Sequence, residues 1–305
     1  MGDAMVTTSA VGAFEREASV FRDWVAEAQP GRYHLYVAAA CPWCHRTMIV
    51  RELMGLADAV GISYIDPIRD ERGWAFHEGP DMGADPVNGF DYLAQAYAAT
   101  DPAYSGRVTV PALWDKETQR IVSNNDDDIM RMFEIEFDAF ARCNDLDFYP
   151  EAQQSEIDAL NDEIYPSVNN GVYRAGFATE QAAYANAAQG VFNELDRLEN
   201  VLSQHRFLLG PTPVETDWRL FVTLIRFDSV YYSHFKCNLR RIVDYPNLWG
   251  YLRDLYQFRD VASTVNFDHI KRHYYMTQIR VNPTRIVPIG PLLDLDSPHG
   301  REHLA

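Results

Sequence analysis

The sequence predicts an α/β domain followed by an all-α domain. Three observations carry this: strand and helix patterns alternate over the first half, only helical spacing remains after Tyr149-Pro150, and 305 residues suffice for two cores. Hydrophobic residues make up 47% of the chain and aromatics 13%, enough to fill the interior of both.

Residues 1–31 read as a mixed N-terminal extension closing in the turn signal Gln29-Pro30-Gly31. Arg32-Tyr33-His34-Leu35-Tyr36-Val37 alternates, is rich in β-formers and runs into Ala38 to Ala40, so Cys41 stands at a strand-to-helix junction. Met48, Ile49, Leu53 and Leu56 then recur at helical spacing, and Pro42 suits a first turn, where its missing N–H has no partner to lose. Gly61 to Ile65 reads as a second strand. Residues 66–103, rich in Gly, Pro, Asp and aromatics, read as a long insertion with weak periodicity. Val108 to Asp115 is an apolar strand interrupted by Pro111; Ile121-Val122 and a polar turn at 123–126 follow. Ile129, Met130, Phe133 and Phe137 predict a helix over 127–140. This β-α-β, then β-β-α order is thioredoxin-like and sets the first domain at 32–140. The second domain, 150–275, should hold helices at 151–168, 180–204, 216–233 and 246–257, with an apolar stripe of Val191, Leu195, Leu198 and Leu202. Residues 276–305 read as a C-terminal tail.

Composition excludes several classes of function. A net charge of −17 argues against a nucleic-acid partner, which needs clustered Lys and Arg. No apolar run approaches the length of a membrane span, and Met1 to Ala10 lacks a basic stretch followed by an apolar core, so a cytoplasmic protein without a membrane partner is expected. Four cysteines, two of them isolated at Cys143 and Cys237, make no disulfide framework.

The chemistry is expected at Cys41. Unpaired N–H groups and the positive dipole end of a helix stabilise a thiolate, and His45 and Arg46, one turn on, add donors or positive charge. Cys44 completes a Cys-x-x-Cys spacing; it is either a resolving thiol for a mixed disulfide on Cys41 or a packed residue on the inner face of the helix. No second Cys pair lies at ligand spacing, so no metal is expected. Pro111 in a strand-like stretch suggests a cis Val110–Pro111 bond. By its position in a thioredoxin-like domain, Val110 would offer its backbone N–H and C=O to the peptide of a thiol substrate.

At this point the chain resembles the glutathione transferases, and more closely their Xi class, the glutathionyl-hydroquinone reductases. The likeness runs almost the whole length. It rests on Arg32 to Val37 with Cys41-Pro42-Trp43, on Thr109 to Lys116, on Asn169 to Ala178, and on Phe235 to Tyr275 with its Asn266-Phe267-Asp268-His269-Ile270-Lys271-Arg272-His273-Tyr274-Tyr275. The resemblance implies the glutathione transferase fold and a homodimer. It also implies a reaction in which Cys41 attacks the sulfur of a thiol-conjugated hydroquinone, freeing a small aromatic, quinone-type product and leaving a mixed disulfide for a second thiol. On the same pattern Trp74 lies near the thiol, and Tyr173 and Tyr274 lie beside the aromatic substrate as proton donors or holders of its phenol oxygen.

Two departures from that pattern stand out. Cys44 replaces an alanine, and Asn125-Asp126 replaces the Glu-Ser pair that takes the ammonium and carboxylate of a γ-glutamyl group. An anion at Asp126 should repel a bound carboxylate by roughly a kilocalorie per mole or more. Glutathione is then expected to bind poorly, and a sugar-based thiol such as mycothiol to be preferred. The rival readings are a glutaredoxin-like dithiol disulfide reductase, which would require Cys44, and a non-catalytic ligand-binding transferase homologue, which Cys41 argues against.

Overall fold

The computed structural model describes residues 7–9 and 12–304. They fall into two compact units, one made of Glu17–Leu146 and Ser263–Ile279, the other of Asp147–Ala262 with the described parts of 6–16 and 280–305. Both of the outer segments of the chain thus belong to the second unit, and a short stretch late in the sequence belongs to the first.

The second unit takes from the N-terminal extension a short antiparallel ladder of β1 (Thr7–Thr8) and β2 (Phe14–Glu15). The first unit then begins. Its sheet has β3 (Tyr33–Val37) at the centre, wholly buried, because the alternating aromatics and aliphatics of this strand have helices on one face and the insertion on the other. Helix α1 (Pro42–Leu53) crosses over to β4 (Val60–Tyr64), which pairs parallel to β3, Tyr33 opposite Val60. Inside the insertion, Leu93, Ala96 and Tyr97 bury one face of α2 (Leu93–Thr100), a helix the sequence reading left out because eight residues give too few turns for a clear stripe.

The strand expected over 108–115 is shorter: β5 pairs only from Ala112 to Asp115, since Pro111 brings no N–H to a ladder. It runs antiparallel to β3 and to β6 (Arg120–Ser123), so the order across the sheet is β4-β3-β5-β6. Helix α3 (Asp126–Glu136) starts one residue before the expected point, and a separate turn at Asp138–Phe140 replaces its predicted end.

The second unit is built on α4 (Gln154–Ile164), which passes through a π turn at Tyr165–Asn169 into α5 (Gly171–Gly176), then the long α6 (Gln181–Leu202), and α7 (Glu215–Arg226) with its own π turn at Phe227–Tyr231. The stripe Val191, Leu195, Leu198, Leu202 is buried as expected. At the start of α7, Asp217 is fully buried and accepts from Leu208 N (3.0 Å), Val214 N (2.9 Å) and the Tyr251 hydroxyl (2.7 Å), the last from α8 (Pro246–Tyr256). One carboxylate therefore joins the N-terminus of α7 to a loop and to the next helix. The tail returns to this unit too: Arg301, buried, donates to the Leu202, His205 and Arg206 carbonyls at the C-terminal end of α6, at 2.5–2.9 Å. A cation there answers both the open carbonyls and the negative end of the dipole.

The remaining helix, α9 (Phe267–Thr277), belongs to the first unit, capped by Asn266, whose side chain accepts from His269 N at 2.9 Å. It holds the insertion: His273 Nδ1 lies 2.7 Å from Pro67 O, His269 Nε2 3.1 Å from Pro80 O, and Asn266 Nδ2 donates to Asp81 at 3.1 Å. The sequence reading placed 150–275 in one helical domain; α9 is a helix, but its buried polar contacts are with residues 67–81.

Candidate active site around Cys41

Cys41 is the N-cap of α1, with extended backbone, its N–H on Ala38 O (2.9 Å) and its own carbonyl taking the first helical bond from His45 N (3.0 Å). Pro42 is the first helical residue, as expected. The thiol is half-buried and its Sγ lies 3.8 Å from Val110 O. The Val110–Pro111 bond is cis, in agreement with the sequence reading. Cys41, Val110 and Pro111 are therefore assembled from the start of α1 and the segment leading into β5.

Cys44, three residues on, is fully buried and hydrogen-bonded to Cys41. Burial first, then that hydrogen bond and the Cys41 charge, push its thiol well above the ordinary range, with the Ala38 backbone opposing. It is a protonated neighbour of Cys41 in the free protein.

The two residues expected to add positive charge are engaged elsewhere. His45 is buried with Nε2 2.8 Å from Thr264 Oγ1, and Arg46 is buried with its guanidinium 2.7 Å from Asp126 Oδ2 and 3.5 Å from Asp127 Oδ1. The Arg46 charge is thus balanced by carboxylates, and the N-terminus of α1 favours a thiolate at Cys41.

The same ion pair corrects the charge argument drawn for Asp126. This residue, the first of α3, is buried against Arg46, so its charge is neutralised within the protein instead of facing an incoming anion. Nothing in the local sequence announced this, because the partner lies 80 residues earlier on another helix. Asn125 is the N-cap of α3 and its Oδ1 accepts from Asp128 N at 2.9 Å; Asp128 in turn holds Arg22 through two bonds of 2.7 Å.

Trp74 is buried and stacked on His273 (centroids 5.3 Å, 16° apart), with the Arg69 guanidinium 5.1 Å from its ring centre. Tyr274 follows His273 on α9 and is buried at 1% exposure, in the same unit as Cys41. Tyr173 lies in the other unit, on α5, in an aromatic cluster with Tyr231, Phe235 and Phe177 at centroid distances of 5.3–6.1 Å. Arg16 sits 4.8 Å from the Tyr173 ring centre and donates to Asn170 Oδ1 at 2.8 Å; neither it nor Arg69 was among the residues expected from the sequence, and no motif marks them. Among the described residues no group of three or more His, Cys, Asp and Glu side chains gathers as a metal site would require, and no helix is long and apolar enough to cross a membrane.

Comparison with known proteins fits this geometry. A family model described as the glutathione S-transferase N-terminal domain matches residues 40–135, and one described as the C-terminal domain matches 181–254. The chain is 50% identical to the glutathionyl-hydroquinone reductase YqjG of Escherichia coli over 97% of its own length and 94% of that protein's. It is 47% identical to the glutathionyl-hydroquinone reductase PcpF of Sphingobium chlorophenolicum, covering 93% and 92%. The glutathione-bound structure of YqjG superposes with a TM-score of 0.91 at 49% identity over 93% of this chain and 96% of that one, and a Xi-class transferase from Natrialba magadii with 0.91 at 46% identity over 99% and 91%.

Proposed function

This chain belongs to the glutathione transferases, in the Xi class with the glutathionyl-hydroquinone reductases, and from that premise we propose that it is a thiol-dependent reductase of thiol-conjugated hydroquinones working through Cys41. The observation that carries the reading is the thiol at the N-cap of α1, 3.8 Å from the Val110 carbonyl beside a cis proline. In the first step the Cys41 thiolate attacks the sulfur of the thioether; the carbon–sulfur bond breaks, its electron pair stays with the aromatic carbon, and that carbon takes a proton. Tyr274 and Tyr173 are the proposed donors of that proton or holders of the phenol oxygen. A second thiol then attacks the mixed disulfide, returning Cys41 as thiolate and leaving as a disulfide. Val110 would position the peptide of the thiol and Trp74 would flank it.

The proposed thiol is glutathione, the molecule bound in the E. coli relative. The case for mycothiol rested on Asn125 and on a charge at Asp126, and the Arg46 ion pair, which balances that charge, weakens the second ground. What still favours a thiol without a γ-glutamyl group is Asn125, which brings no anion to an ammonium and has its Oδ1 committed to the α3 cap. The test is steady-state release of free hydroquinone from a glutathionyl-hydroquinone and from the corresponding mycothiol conjugate, each with its own thiol as the second substrate. Turnover with glutathione that falls by at least ~10³-fold in Cys41→Ser is expected. Undiminished turnover in that variant would overturn the nucleophile, and turnover restricted to the mycothiol conjugate and mycothiol would overturn the thiol. Assembly as a homodimer is part of the same proposal.

A further inference from the structure

We propose that Cys44 is a resolving thiol, which attacks the mixed disulfide formed on Cys41, closes a Cys41–Cys44 disulfide and releases the small thiol. The inference rests on Cys41 being the nucleophile, as proposed above, and adds to it a second route out of the mixed disulfide.

Three features of the site point this way. First, Cys41 and Cys44 are the N-cap and third residues of α1, three apart, and already share a hydrogen bond. Residues three apart on a helix stand about 5–6 Å apart at Cβ, and a disulfide needs about 3.5–4.5 Å, a gap that a shift of about 1–2 Å at the N-cap, outside the helical ladder, closes. Second, Cys44 is fully buried, so no dissolved thiol or disulfide reaches it; the sulfur within reach is the one on Cys41. Third, the causes that keep Cys44 protonated depend on the state of its neighbour. Apart from burial, the main ones are the hydrogen bond to Cys41 and the charge there, and both lapse once Cys41 is bonded to another sulfur and carries no charge. The thiol is thus held inert while Cys41 is a free thiolate and released for reaction when Cys41 becomes a mixed disulfide.

The step balances without an added reagent. The Cys44 S–H gives up its proton and its sulfur bonds to Cys41 Sγ; the bond from Cys41 to the small thiol breaks, and the departing thiolate takes the electron pair and the proton. In this exchange Cys44 is oxidised to the disulfide level and the departing thiol is reduced from it, while Cys41 stays there; over both steps the two cysteines lose two electrons, which the aromatic carbon took when its carbon–sulfur bond broke. Two further molecules of thiol reopen the internal disulfide and leave as their own disulfide, so the overall stoichiometry of the reductase is unchanged. Where free thiol is scarce, the enzyme rests as the internal disulfide and Cys41 is shielded from over-oxidation.

The experiment uses the full-length protein in a Cys143→Ser background, because Cys143 is exposed and would collect adducts of its own. The reduced protein receives one equivalent of glutathione disulfide, is alkylated with iodoacetamide after a series of intervals, and is read by intact mass and peptide mapping. Expected is a Cys41 adduct that decays to a species lighter by two hydrogens with a Cys41–Cys44 linkage, at a rate independent of protein concentration. With Cys44→Ala or Cys44→Ser the adduct should persist at least tenfold longer. A Cys41 adduct that does not decay to the internal disulfide although Cys44 is present overturns the proposal, and this arm needs no Cys44 variant to fold. If no adduct forms on Cys41 in any of them, while Cys41 remains open to iodoacetamide, the nucleophile reading itself falls and takes this one with it.

Discussion

Helices α3 and α7 each hold a buried aspartate in their first turn, Asp126 and Asp217, one in each unit, and the two are satisfied in opposite ways. Asp217 faces only neutral donors, two backbone N–H groups and a tyrosine hydroxyl, and although these oppose the change, burial pushes its carboxyl up to about 6. Asp126 faces a guanidinium from α1 and forms an ion pair with it. The first arrangement ties a helix end to its own surroundings and leaves chemistry out of reach. The second ties α3 to the helix that carries Cys41, so charge balance and positioning of the proposed nucleophile are one interaction. A buried acid at a helix start is therefore no evidence of function until its partner is known.

The largest effect is expected from Asp217→Ala. Three donors lose their acceptor at about 1–3 kcal/mol each, with entering water recovering part, so a loss on the order of 3–5 kcal/mol is expected in urea denaturation. A loss below about 1 kcal/mol would show that the network does not hold α7. Asp126→Ala should cost less, about 2–3 kcal/mol, because Asp127 lies 3.5 Å from Arg46 and takes over part of the pairing. Unlike the first variant, it should also lower turnover, through the altered setting of α1. Stability lost with turnover kept would separate the two roles of the ion pair.

The smallest effect is in the pH dependence, where the two units should respond with opposite sign. Asp217 has a folded value of about 6 against 3.8 unfolded, so the folded state binds the proton more tightly and this group adds stability as pH falls from 6 towards 4. His34 on β3, 2.8 Å from Ser63 Oγ, is lowered by burial to about 4 from 6.5. There the unfolded state binds the proton more tightly, and stability is lost across the same interval. Hydrogen exchange resolved by peptide between pH 6.5 and 4.5 should show protection falling around β3 and holding or rising around α7. His34→Gln and Asp217→Asn should each flatten one of these trends; a trend unchanged by its own variant would refute the assignment.

The place of Cys41 at a helix start and the cis bond at Pro111 were legible because their signals are local: a strand, three small residues, a cysteine and a proline at a first helical turn can be read within ten positions. Strand β3 was placed within a residue for the same reason. Asp126 was misread because sequence displays its charge and hides Arg46, a distant cation that neutralises it. Trp74 was singled out by a family pattern alone, and its stack on His273, two hundred positions away, has no periodic signature. Tyr173 and Tyr274 behave likewise, since a buried aromatic looks the same in sequence whether it packs or binds. The short helix α2 fell below the length at which spacing speaks.

The placement of α9 also bears on how the protein is made. Domains released from a ribosome ordinarily fold from the N-terminus as each is completed. Here the unit that carries Cys41 lacks its last helix until residue 279 has been synthesised, after Asp147–Ala262 has already emerged. Until then Trp74 has no His273 to stack on, and the insertion at 67–81 lacks its three anchoring side chains. The nascent chain thus holds the proposed nucleophile in an unfinished setting for most of translation, and a transcript cut short before α9 would yield a protein with the cysteine and without the complete candidate site.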